Sequence, residues 1–134
     1  MLRRLCSRKH IVIISVNGGV HMCDKSTLQS VLSAIAEQAR LTFAGTLIDI
    51  ILFGSYARGD YDVESDIDIM LLVDMPAEKL ATYRKAIIML STDLDLEYDV
   101  FTSVMLQDLE TFEKWKDSLP FYQKVLSEGV QISA

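Results

Sequence analysis

The sequence predicts an α/β (α+β) domain, a small mixed β-sheet flanked by helices, and three observations carry that prediction. The stretch from Leu47 to Val73 holds two apolar runs, one stopping abruptly at Gly54-Ser55 and the other containing Ile67 and Ile69, which read as two strands joined by a polar loop. Leu28, Val31, Leu32, Ile35 and Ala39 repeat at helical spacing. Further on, Leu94 to Phe101 alternates apolar and acidic residues before turning fully apolar, the period of a half-buried strand. Strands mixed with amphipathic helices bury their apolar faces by stacking helices on a sheet.

The elements follow in order. A chain of 134 residues, half of them hydrophobic, is one domain able to bury roughly two thirds of its surface. Residues 1–21 form an N-terminal extension open to two readings: an added edge strand over Ile11 to Val16 ending at Asn17-Gly18-Gly19, or a segment without function ahead of a start at Met22. Its apolar run is shorter than a signal-peptide core and far shorter than the ~20 residues of a membrane span. Ser26-Thr27-Leu28-Gln29 is a capping-box pattern that opens the first helix, which ends near Phe43 and Gly45. After the central strand pair, Pro76 starts a helix with Leu80, Tyr83, Ile87 and Leu90 on its buried stripe, running to about Ser91. The strand from Leu94 to Phe101 comes next. Two short helices close the chain, Gln107 to Asp117 and Pro120 to Glu128, with Gly129 capping the second and with Phe112, Trp115, Phe121 and Tyr122 expected in the core.

The central stretch makes a chemical argument. In an extended strand Asp66 and Asp68 project from one face with Cα atoms roughly 7 Å apart, while Ile67 and Ile69 point into the core. Two carboxylates so placed repel each other, and crowding raises their pKa unless a cation lies between them, for which a hard divalent ion is the usual solution. Gly54 lets the backbone turn sharply, and free amides there with the Ser55 hydroxyl suit phosphate oxygens. By average residue usage, Gly-Ser followed at one fixed spacing by Asp-x-Asp arises by chance in about a few per thousand chains this long.

Gly54-Ser55, then ten residues, then Asp66-Ile67-Asp68, all within GSYARGDYDVESDIDI, resembles the signature of the DNA polymerase β-like nucleotidyltransferase superfamily. The short chain and its tail TFEKWKDSLPFYQKVLSEGV resemble the minimal nucleotidyltransferase (MNT) branch, the antitoxin type paired with HEPN-domain proteins. The resemblance implies a polymerase β-like nucleotidyltransferase fold, with residues 22–134 as a single nucleotidyltransferase domain. It further implies that Asp66, Asp68 and a third carboxylate hold two Mg²⁺ ions. Asp99 best matches that third position and Asp95 is the runner-up. Gly54 and Ser55 would bind the phosphates of ATP, and Arg58, in the charged loop between the strands, would touch the nucleotide triphosphate or the partner. The implied reaction moves AMP from ATP to a hydroxyl of a partner, a tyrosine of a HEPN-type toxin encoded nearby, with pyrophosphate released.

Composition narrows the classes. A net charge of −6 argues against gripping a long nucleic acid, for which a basic face is needed. Cys6 and Cys23 form no zinc or disulfide pattern and fit a reducing cytoplasm; His10 and His21 are lone and read as surface residues. Two other functions stay open: a binding-only antitoxin without catalysis, and an enzyme that modifies a small molecule of the aminoglycoside kind. Either a homo- or a hetero-oligomer is compatible with the sequence.

Overall fold

The computed structural model describes residues 10–11 and 24–132 of the chain. Its strands are β1 (His10–Ile11), β2 (Leu47–Phe53), β3 (Ile67–Val73), β4 (Thr102–Asp108) and β5 (Val130–Ile132). The helices are α1 (Lys25–Phe43), α2 (Ser55–Arg58), α3 (Ala77–Leu80), α4 (Arg84–Tyr98), α5 (Leu109–Trp115) and α6 (Pro120–Glu128). The strands form one mixed sheet in the order β1-β5-β2-β3-β4. The β2–β3 and β2–β5 pairs are antiparallel, and the β3–β4 and β1–β5 pairs are parallel. This is the mixed sheet with flanking helices that the sequence predicts.

Side-chain alternation along β3 divides the core in two. Ile67, Ile69, Leu71 and Val73 pack with Ile50 and Leu52 against the buried stripe of α1 and against Ile87 and Leu94 of α4. Met70 and Leu72 pack with Ile51 on the opposite face, under Phe112 of α5 and Tyr122 and Val125 of α6. With both faces covered, every residue of β3 is buried except Asp68, the strand's only polar residue. The chain thus holds a carboxylate in its most apolar element.

Several expectations are corrected. The first helix is capped by Asp24, whose side chain accepts from the Thr27 amide at 2.7 Å, and not by Ser26. The segment from Leu94 to Tyr98 is the end of α4 and not a strand. Its strict alternation misleads because Ile87 and Leu94 also lie at helical spacing, and as a helix the segment buries Leu94 while leaving Leu96 in solvent. The place beside β3 goes instead to Thr102–Asp108. Gln107 and Asp108 therefore end a strand, with the Asp108 side chain accepting from Thr111 N at 2.8 Å to cap α5. Phe112 and Tyr122 are core as expected, whereas Trp115 and Phe121 are exposed. β5, three residues long, lacks the length to show a period and was not anticipated. It begins right after Gly129, where an added Cβ would collide with the Val125 carbonyl and stand 2.6 Å from Ile51 Cγ2. That close approach brings the tail onto β2. Of the expected N-terminal edge strand over Ile11 to Val16, Ile11 pairs with β5, as does His10 ahead of it, and residues 12–16 lie outside the described residues.

Candidate active site

The site forms where β2 ends and β3 begins. Phe53, the last residue of β2, stands in register with Asp68. Gly54 then turns the chain with φ 78° and ψ −157°, a conformation essentially confined to glycine. A Cβ on Gly54 would overlap Oδ2 of Asp68 and stand 3.3 Å from its Cγ. Glycine is therefore required twice, by the backbone angle and by the carboxylate lying against it. Beyond it, the amides of Ala57 and Arg58 bond to the Gly54 carbonyl at 3.1 and 3.0 Å, winding the single turn of α2 with the Ser55 side chain at its start.

Asp66 lies one residue ahead of β3 and is exposed, while Asp68 is half-buried. Burial first, and the negative charge of Asp66 second, push the Asp68 carboxyl above the usual carboxylate range, and the Arg58 guanidinium draws it down. Asp66 therefore stands near enough for its charge to act on Asp68. Such a pair suits a small hard cation. Mg²⁺ is commonly held by one or two protein carboxylates with substrate phosphates completing its shell, and Asp66 and Asp68 beside a glycine turn fit that arrangement.

The loop between the strands is built, with its own supports. The rings of Tyr56 and Tyr61 stack with centroids 4.2 Å apart and planes at 10°. Asp62 Oδ1 accepts from the Glu64 amide at 2.9 Å and from Ser65 Oγ at 3.2 Å, so Asp62 shapes the turn. Glu64 is exposed to solvent.

The sequence profile of the nucleotidyltransferase domain matches residues 33–130. The chain belongs to the nucleotidyltransferase domain family. A candidate protein adenylyltransferase of Methanocaldococcus jannaschii is 36% identical over 108 residues, 81% of this chain and 96% of that protein. A second candidate protein adenylyltransferase of the same organism is 47% identical over 58 residues, 42% of this chain and 56% of that protein. Among solved structures, a toxin-antitoxin with AMP-PNP aligns at TM-score 0.46 and 22% identity, over 74% of this chain and 69% of that one.

In this nucleotidyltransferase, Gly54, Ser55, Asp66, Asp68 and Arg58 come together at one end of the sheet. Asp99 stands at the same end, on the turn between α4 and β4, three residues before Thr102, the partner of Ile67. It is exposed, and it closes α4 in the left-handed conformation with φ 56° and ψ 51°, which Asp tolerates better than most residues. Among the described residues no group of three His, Cys, Asp or Glu side chains is gathered as a metal site. Asp99 thus stands at the same end of the sheet as Asp66 and Asp68 without being gathered with them as a group of three. Asp95 is engaged in holding the fold: its Oδ1 accepts from Thr102 N and Thr102 Oγ1, both at 2.8 Å, fastening α4 to β4.

Sequence reasoning missed Asp60 and Glu128. Arg58 donates from Nε to Asp60 and from Nη1 to Glu128, each at 3.1 Å. Glu128 is the last residue of α6, 70 positions along the chain, so no local pattern could have indicated it.

Proposed function

We propose that this nucleotidyltransferase transfers AMP from ATP to a hydroxyl of a partner protein, a tyrosine of a HEPN-type toxin, and thereby acts as its antitoxin. The single observation carrying the reading is the Gly54 turn packed against the Asp68 carboxylate with Asp66 beside it. The β- and γ-phosphates bind at the Gly54 amides and the Ser55 hydroxyl, leaving the α-phosphorus toward the acidic pair. Asp66 and Asp68 hold Mg²⁺, which when bound neutralises phosphate charge and assists an in-line displacement. Arg58 exchanges one of its two carboxylate partners for a phosphate oxygen, a change of partner that keeps its charge paired. Asp99, at the same end of the sheet, takes part in removing the acceptor's proton. The AMP–oxygen bond forms at the α-phosphorus as the bond to pyrophosphate breaks.

The names of the Methanocaldococcus relatives support protein adenylylation. The HEPN partner and the tyrosine acceptor rest on the sequence resemblance. The test is incubation of the chain with Mg²⁺, α-labelled ATP and the protein encoded next to it, beside the Asp66→Ala, Asp68→Ala double variant. Label on the neighbour only with intact carboxylates is the expected result. Equal silencing of the neighbour by both versions, with no label transferred, would leave only a binding antitoxin.

A further inference from the structure

Helix α4 carries an apolar face that nothing in the described structure covers. Its inward side is accounted for: Ile87 and Leu94 are buried in the core, and Ser91 and Asp95 bond to Thr102 of β4. Ile88 and Met89, each 58% exposed, and Leu96, 80% exposed, lie on the other side. At about 100° per residue, Lys85, Ile88, Thr92, Leu96 and Met89 share an arc of about 100°, so the three apolar side chains form one stripe. Monomeric proteins scatter such residues singly, and a contiguous stripe marks an interface.

The charges along the helix indicate what covers it. Arg84 and Lys85 stand at the N-terminal end of the stripe, and Asp93 and Glu97 flank its C-terminal half. None of these four side chains enters an ion pair among the described residues. A surface basic at one end, apolar in the middle and acidic at the other is complementary to itself when reversed. That is the requirement of an isologous two-fold contact.

We propose that α4 pairs with α4 of a second copy of this chain, the helices lying antiparallel across a two-fold axis near Thr92. Ile88 of one copy then meets Leu96 of the other. Lys85 comes within one turn of the partner copy's acidic end, where Glu97 receives it. One helix pair buries less than a standard protein interface, so the dimer forms in the micromolar range. This inference is independent of the adenylyl-transfer reading and of any acceptor.

The test is sedimentation equilibrium of the nucleotide-free chain from about 1 to 300 μM, a range spanning micromolar dissociation constants. Wild type is expected to show a reversible dimer. Leu96→Glu should weaken it about tenfold or more, as loss of a central apolar contact does. Lys85→Glu and Glu97→Lys should each weaken it, and the double reversal should restore it, which a general loss of folding could not produce. Circular dichroism of each variant confirms the fold. A wild-type monomer throughout the range overturns the proposal, including the case in which a different protein occupies the face. A dimer indifferent to Leu96→Glu, or charge reversals without mutual rescue, overturns it equally.

Discussion

Replacing Gly54 by alanine isolates the contact on which the site depends. The residue sits at φ 78°, ψ −157°, a region costing a residue with a Cβ about 1–3 kcal/mol. The added methyl would also overlap Asp68 Oδ2 and stand 3.3 Å from Asp68 Cγ and 3.4 Å from its Cβ. The backbone on both sides is tied into the β2–β3 ladder and α2, so the carboxylate is the part free to yield. It relieves the overlap by rotating away from the turn. The expected stability loss is about 2–3 kcal/mol, which a domain stable by about 5–15 kcal/mol survives. Nucleotidyl transfer should fall far more, by about 100-fold, because a carboxylate displaced by about an ångström no longer holds its reacting partners in line. Gly59→Ala is the control. Gly59 also has positive φ, 92°, but a Cβ there has no atom within 4 Å, leaving only the left-handed backbone cost of about 1–2 kcal/mol. Urea unfolding and label transfer from α-labelled ATP, measured on both variants, separate the two effects. Transfer by Gly54→Ala close to wild type, or equal losses of transfer in the two variants, would refute the reasoning.

Three further predictions concern charge, the α4–β4 turn and the core. Because the Asp68 carboxyl is raised in the folded state, its ionisation works against folding: the penalty is absent below about pH 4, grows as pH rises toward the folded value, and is complete above it. Asp68→Asn should therefore be more stable than wild type at neutral pH without metal, lose that advantage in acid, and fail to gain stability from Mg²⁺ with a non-hydrolysable ATP analogue; thermal melts against pH read all three. At the turn after α4, Asp99→Gly should keep or improve stability, by up to about 1 kcal/mol, because glycine fits φ 56° at no steric cost. If Asp99 serves catalysis, both Asp99→Gly and Asp99→Asn lose transfer in single-turnover assays, and full activity in either would remove it from the site. Finally, Phe112, fully buried beneath the Asp68 face of the sheet, should cost about 3–5 kcal/mol on truncation to alanine, seen as a lower urea midpoint, with Mg²⁺ dependence unchanged in the protein that remains folded.

Much of this molecule is local in origin, and that part was legible. The β2–β3 pair, α1 and α6 declare themselves because their apolar residues recur at the period of the structure they adopt, and Gly54 and Asp68 are readable because a turn and a strand fix their relation within fifteen residues. The sequence could not decide the segment from Leu94 to Tyr98, where period-two and helical patterns both fit and competition for the place beside β3 selected the helix. It also could not show that Glu128 meets Arg58, that Gly129 lets the tail approach Ile51, or that β5 joins the sheet. Those relations join residues far apart in the chain, and their partners become neighbours only when both faces of β3 are covered. The sequence by itself determined which side chains could do the chemistry. Tertiary packing determined which of them share a space, because desolvation and charge act through distance in the fold and not along the chain.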